Sequence, residues 1–578
     1  MMAAAKPHAR WLPPLALALL TGLAYVNAAP KALVHDDNTA LAQNPRFGGV
    51  SRIPQLFRES VWEGVAGNRR LYRPLAMATL SADRTIYRGD PRGYHVTSIV
   101  LHVATTLVLF GLLSALGAGR LGAFLAALIF GVHPIHTEAV DVAFNRSEVL
   151  ATLGSVGALW WLWHWLERAR LAAWGGVAVL YFLALLCRES AATLPLLAAL
   201  CVVLLRPAAS LRESFGKLTP LLVLAIPLGL YLAARGWVLG EAGGGVAQSL
   251  WAQGIGGSHA PGQRLALVAA TLRDYWRMLV WPWPLRASYE DYELHGVGFA
   301  LALHAALIGA ALATRRRFPA LTLGIAFFYV ALLPSTRLFA DPALLAERFV
   351  YLPSAGMAIP LAFGFAALAG RHGPRTAAAV GLSLVALLAP LTLQRNQAWR
   401  SRQALWEAEA RASQNDWRVL LNLSQVRIAQ GRFAEALALC DRGLTVAPSK
   451  TGFHTNRGAA LISLGRFAEA EASFTRAVAD GGDPSARANL ARLYAASGRL
   501  SLAEKSYREA MASEPNEAVR RALEGELLLQ CRSDLVGARA AYQAALSLSP
   551  GLPAARQGLK LVESRERSTP PPTPPVKP

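Results

Sequence analysis

Apolar and polar positions divide this chain near residue 395. Before that point, long apolar runs alternate with short polar stretches at about 11–29, 94–117, 121–140, 147–166, 171–187, 191–206, 218–239, 297–314, 318–335, 349–370 and 375–393. Each is about the length needed to cross a hydrocarbon core roughly 30 Å thick. The pattern predicts an all-α fold: a polytopic membrane helix bundle of about eleven spans over 1–395, then a soluble helical domain. The segment 263–285 has apolar residues at helical spacing but carries Arg273, Asp274 and Arg277 among aromatic residues. Charges at mid-depth are expensive, so it is expected to be an interfacial amphipathic helix. The first run follows Lys6 and Arg10 and ends in Asn27-Ala28-Ala29, so a cleaved signal peptide is its rival reading. Its length favours an uncleaved span.

Composition agrees. The 578 residues are 53% hydrophobic and 16% charged, against about 25% charged in soluble domains, and mean hydropathy is +0.31. A net charge of +21 would suggest nucleic acid in a soluble protein, but much of the Lys/Arg lies in short connections between apolar runs, where topology places it. With the N-terminus inside, the inside connections hold Arg120; Arg168 and Arg170; Arg206, Arg212 and Lys217; Arg315-Arg316-Arg317; and Arg371 and Arg375. Each carries positive charge, provided that 263–285 does not span. Eleven spans then put the loop 30–92 and the chain after 395 on the same outer face. Cys187, Cys201, Cys440 and Cys531 have no metal-ligand spacing, and a Cys440–Cys531 disulfide stays open.

From 396 onward the chain repeats. GRFAEA begins at Gly431 and again at Gly465, with a looser copy at Gly498. Ala436, Ala470, Ala503 and Ala538 recur at this period, followed by Cys440, Phe474, Tyr507 and Tyr542, then by Gly443, Ala477, Ala510 and Ala545. Small residues where two helices cross and an aromatic between units predict a tetratricopeptide α-solenoid over 396–560. Trp406 and Ala410 loosely fit a preceding half unit. The tail 561–578 is proline-rich and expected to be disordered, and the glycine-rich 240–257 reads as a flexible loop rather than a nucleotide cradle.

Polar residues gather in the outer turns. The long first outer loop, 30–92, carries Asp36-Asp37 beside the first span and Tyr72-Arg73-Pro74. Further turns carry His133-Pro134-Ile135-His136-Thr137-Glu138, Asn145-Arg146-Ser147-Glu148, Arg188-Glu189-Ser190, Arg337, and Glu347-Arg348 with Tyr351. Arginine suits an anionic lipid headgroup because its fork binds phosphate bidentately. The competing readings are a solvated turn for Asp36-Asp37, a helix-end ion pair for Arg188-Glu189, and helix capping rather than metal ligation for His133 and His136.

These motifs (VHDDNTAL, YRPL, GYHV, FGVHPIHTEAV, NRSE, CRES and AERFVYLPSAG, then the repeats) resemble the transmembrane and tetratricopeptide repeat-containing (TMTC) proteins, membrane glycosyltransferases of the GT-C class. The resemblance covers about residues 12–560. It implies transfer of a sugar, usually mannose, from a polyprenyl phosphate to a protein hydroxyl. It further implies that Asp36 or Asp37, with Asp36 preferred, is the general base and that Arg348 meets the donor phosphate, with Arg73 and Arg188 as alternates. His133, His136, Glu138, Arg146, Glu189, Glu347 and Tyr351 would line the site. No metal or other cofactor is expected, because arginines take the charge and the lipid carries the activated sugar. His35 replaces an aromatic of the family and CRES a lysine-containing version, which bears on the sugar. The partners implied are the bilayer, the lipid-linked sugar and an acceptor polypeptide held by the repeats, with no nucleic acid. The high Ala/Leu/Arg content and the compact loops favour a bacterial inner membrane with periplasmic repeats over a eukaryotic endoplasmic reticulum. The rivals are a non-catalytic scaffold that recruits envelope-assembly partners, and a lipid-linked-sugar flippase or polymerase.

Overall fold

The computed structural model describes residues 11–28, 33–34, 37, 41, 47–61, 71–165, 171–206, 210–240, 261–336, 345–481, 484–549 and 551–568. Asp36, Arg337, most of the glycine-rich loop and the end of the proline-rich tail lie outside these residues. Every regular element among the described residues is a helix. The described residues form two compact units, the first running to Leu405 and the second from Trp406 onward.

In the first unit each of the eleven apolar runs contains a helix: α1 (Leu12–Ala24), α3 (Pro91–Ala115), α4 (Gly119–Gly131) leading to the short α5 (Thr137–Asp141), α6 (Arg146–Trp165), α7 (Leu171–Cys187), α8 (Leu194–Leu205), α9 (Ala225–Leu239), α11 (Val297–Thr314), α12 (Pro319–Leu332), α13 (Tyr351–His372) and α14 (Pro374–Ala398). Among the helices outside the runs are α2 (Pro74–Ile86) and α10 (Pro261–Val280). Among the described residues five helices are long and apolar enough to cross a membrane, or six if the bent α4–α5 pair is one span. The other runs fold as shorter apolar helices or, for α6, as a helix opening on Arg146 and Glu148. Helix α10 is not among the five. Arg273 on it is neutralised by Asp274 at 3.0 Å, while Tyr275 and Met278 enter an apolar cluster with Phe328 and Leu332.

The run 121–140 is not the single straight helix that its hydropathy predicts. Proline has no N–H and disfavours helical geometry in the residue before it. His133 is accordingly extended (φ −75°, ψ 126°) ahead of Pro134, and the chain bends by 49°. On the straight part, Gly122 lies so close to the Ala362 carbonyl of α13 that a Cβ would collide with it. The first and last of these helices are laced together. Asn27 Nδ2 donates to Leu393 O at 2.8 Å, and Asn396 Nδ2 donates to Ala24 O at 2.9 Å.

Arg146, fully buried at the start of α6, joins three helices. Its Nη1 lies 2.6 Å from Asp83 Oδ2 of α2, and its Nε and Nη2 donate to Ser98 Oγ (3.2 Å) and Tyr94 O (2.6 Å) of α3.

In the second unit, helices α15 (Trp417–Ala429) to α23 (Pro553–Ser568) pack as successive antiparallel pairs: α16 (Phe433–Val446), α17 (Gly452–Ser463), α18 (Phe467–Ala479), α19 (Pro484–Ala496), α20 (Leu500–Ser513), α21 (Glu517–Cys531) and α22 (Leu535–Leu548) lie between. Ala436, Ala470, Ala503 and Ala538 are all fully buried, as are Phe474, Tyr507 and, at 1% exposure, Tyr542. Gly431, Gly465 and Gly498 turn the chain between paired helices with φ of 73°, 74° and 75°. That left-handed conformation favours glycine at the helix end, which is why the repeat string starts there. Cys440 and Cys531 are free thiols, and burial pushes the Cys440 thiol up to about 12.

Two outcomes follow. Arg146→Met, which strands Asp83, is expected to destabilise the detergent-solubilised protein by about 3–5 kcal/mol, with a much smaller loss when Asp83→Leu accompanies it. Comparing their unfolding midpoints checks this. At pH 8 a thiol reagent is expected to modify half-buried Cys531 in the native protein and to reach Cys440 only on unfolding, read by mass spectrometry of the labelled peptides.

Candidate functional site

The turns that interrupt the apolar helices of the first unit meet around residues 138–148. Asn145 Nδ2 donates to the Glu138 carbonyl at 3.2 Å. Ser147 Oγ accepts from Arg188 Nη1 at 3.1 Å, and Glu148 pairs with Arg188 Nε at 2.9 Å. Arg188 begins the turn that follows α7, so this one tetrapeptide ties α6 to that turn.

Arg73, Arg188 and Arg348 do come together, and each is paired with a glutamate. Arg73 grips Glu189 with a two-pronged contact through Nε (3.0 Å) and Nη2. Arg348 binds Glu138 through its guanidinium and through its backbone N–H at 2.9 Å. Glu148 lies in the electrostatic field of Arg188, Arg73, Glu189 and Arg348 together. The six charges balance. The side chains of Arg73 and Arg188 are only 7% exposed, against 17% for Arg348 and 43% for Glu189. Water or a ligand therefore reaches this cluster chiefly at Arg348 and Glu189. Salt links of this kind form where desolvated charge must be compensated.

The remaining expected site residues separate into two groups. Asp37 is fully buried, and its carboxylate oxygens accept from Ala143 N at 2.9 Å and Phe144 N at 2.6 Å. It therefore anchors the turn ahead of Arg146, while Asp36, the preferred base, lies outside the described residues. Glu347 is buried and has partners other than Arg348. It accepts from Tyr289 O–H at 3.0 Å and from Arg286 N–H, with Arg395 Nη2 3.7 Å away.

His133, His136 and Ser354 form a polar end of a groove, and Tyr351 packs behind them against the His136 ring. Tyr351 O–H donates to His102 Nδ1 at 2.6 Å, and His102 Nε2 to Gly131 O at 3.0 Å. His136 Nε2 bonds Ser354 Oγ at 2.9 Å. His133 uses both ring nitrogens: Nε2 on Leu279 O of α10 (3.1 Å) and Nδ1 on the nearby Ile135 N–H (3.2 Å). The groove, about 580 Å³, runs between α4, α10, α13 and α14 and is otherwise almost wholly apolar; Phe130, Trp276, Met357 and Leu388 line it. Among the described residues no three His, Cys, Asp or Glu side chains are grouped to hold a metal. Sequence reasoning did not select Asp83, His102, Tyr289 or Arg395. Only His102 carried a signal, one helical face from His95 in the GYHV segment. Glu148 was visible in NRSE.

Tetratricopeptide repeat models match residues 417–442 and 461–527. Over 91% of its length the chain is 26% identical to a Mus musculus protein named protein O-mannosyl-transferase TMTC3, covering 62% of that protein. Over 74% it is 26% identical to Mus musculus protein O-mannosyl-transferase TMTC4, covering 66% of it. A segment of 147 residues is 38% identical to Homo sapiens protein O-mannosyl-transferase TMTC1. The chain thus spans a little over three fifths of the length of the TMTC3 relative. A crystal structure of the APC/C hetero-tetramer Cut9-Hcn1 aligns with 90% of the chain at 13% identity and a TM-score of 0.25, too low to bear on the site. By sequence over most of its length, with an apolar helical body followed by tetratricopeptide repeats, this chain matches the TMTC-type family.

Proposed function

We propose that this protein is a membrane glycosyltransferase of GT-C type that moves a sugar, mannose in the first instance, from a polyprenyl phosphate to a hydroxyl on a polypeptide. The observation that carries the reading is the junction of an apolar groove with a balanced arginine–glutamate cluster. His136 lines the groove, and Glu138, two residues on, holds Arg348. A lipid chain suits the groove, and the partly exposed guanidinium suits its phosphate. The names of the relatives agree with the reaction class.

In this scheme Asp36 takes the acceptor hydroxyl proton while the oxygen attacks the anomeric carbon. The bond to phosphate breaks with its electron pair, the lipid phosphate leaves as an anion, and attack from the opposite face inverts the centre. Base catalysis of this kind contributes roughly 10²–10⁴-fold. Arg348, held at two points by Glu138, stabilises the charge that develops on the leaving phosphate. Asp37 is the anchor rather than the base. A second groove of about 660 Å³ in the repeats, lined by Arg492, Tyr507, Glu526, Gln530, Tyr542 and Gln557, suits a polypeptide acceptor. The distribution of positive charge in the connections supports a periplasmic or luminal side for the site, with an inner membrane as the expected location.

Membranes carrying the protein, given radiolabelled polyprenyl-phosphate mannose, are expected to label protein. Asp36→Asn should lower turnover by about 10²-fold or more with little change in donor KM, and Arg348→Ala should lower turnover as well as raise donor KM, because it removes charge stabilisation from the leaving phosphate. Equal labelling by both variants and wild type would remove these assignments. Absence of transfer with any lipid-linked sugar and a panel of acceptors would favour a scaffold working through the repeats.

A further inference from the structure

One aromatic ring faces two of the three clustered arginines. The guanidinium carbon of Arg348 lies 5.0 Å from the centroid of the Phe349 ring and that of Arg188 lies 5.6 Å from it. Phe349 is 9% exposed and belongs to the apolar cluster that includes Ile135, Tyr275, Phe328 and Val350. Its backbone N–H is fixed on Ala346 O at 3.1 Å. The ring therefore sits at the border between rigid apolar packing and the charged cluster, and it has little freedom to move.

Two guanidinium groups brought this close repel one another. Glu138 and Glu148 each compensate one of them, but neither glutamate fixes the distance between the two. An aromatic ring attracts a cation through the negative charge of its face, and one ring contacted by both sets where each can rest. A phosphodiester has two non-bridging oxygens, each able to accept from a different guanidinium, and arginine forks match that geometry.

We infer that Phe349 is a positioning residue whose ring fixes Arg188 and Arg348 as a two-pronged receptor for a single lipid-linked phosphate. The inference rests on the donor-phosphate reading of Arg348 given above. It adds Arg188 as a simultaneous second contact and Phe349 as the residue that sets their separation. The lipid chain is recognised elsewhere, in the groove, so Phe349 governs the phosphate alone.

The test uses the full chain in lipid nanodiscs and two probes: polyprenyl phosphate and the uncharged polyprenol of equal length. Phe349→Leu is expected to weaken binding of polyprenyl phosphate by about tenfold, the scale of desolvated cation–π contacts, while leaving polyprenol binding unchanged. Phe349→Tyr, which keeps the ring, is expected to restore phosphate binding to near the wild-type value. Equal losses for both probes, or Phe349→Tyr as weak as Phe349→Leu, would reduce Phe349 to core packing and overturn the inference. Wild-type affinity in Phe349→Leu with a large loss in Arg348→Ala would overturn it while leaving the donor reading intact. If wild type binds polyprenyl phosphate no better than polyprenol, the donor reading itself falls.

Discussion

A charge taken out of water needs a partner or costs several kcal/mol, and residues 143–148 are where this chain meets that requirement most densely. Asp37 closes on the Ala143 and Phe144 amides, Arg146 on Asp83, and Glu148 with Ser147 on Arg188. Asn145 adds the carbonyl of Glu138, whose own carboxylate holds Arg348. Segments separated by up to roughly three hundred positions in the chain are thus registered by polar contacts. The surrounding apolar helices could slide past one another at little cost in lipid, where there is no hydrophobic drive between helices. The polar turns stop them from doing so.

This explains what the sequence did and did not disclose. Apolar runs are one-dimensional signals, and each of them holds a helix. The repeats were equally legible, because Ala436, Ala470, Ala503 and Ala538 had to be small for paired helices to cross. The turns that the motifs marked, NRSE, CRES and AERF, do converge in space. What could not be read is pairing. Nothing around Asp83 marks it as the counter-ion of Arg146, and nothing in VHDD says that Asp37 will spend both oxygens on backbone amides. Those facts depend on which helix lies beside which. The three arginines looked like vacant phosphate ligands in the sequence, whereas each is already opposed by a glutamate. The bend at Pro134 was also obscured, because hydropathy averages over a break that local backbone geometry imposes.

That bend has a consequence for how the membrane body behaves. A helix interrupted among apolar helices leaves backbone carbonyls that lipid cannot satisfy. Here none of the three carbonyls at the break is orphaned. Phe130 O takes the His133 N–H at 3.3 Å, Gly131 O takes His102 Nε2 from α3, and Val132 O takes Thr392 Oγ1 from α14 at 2.6 Å. Two of these donors belong to other helices, so straightening or further bending of the α4–α5 join would strip partners from carbonyls with no water to replace them. The join is a welded corner rather than a hinge, and any opening of the groove beside it must come from elements other than this one.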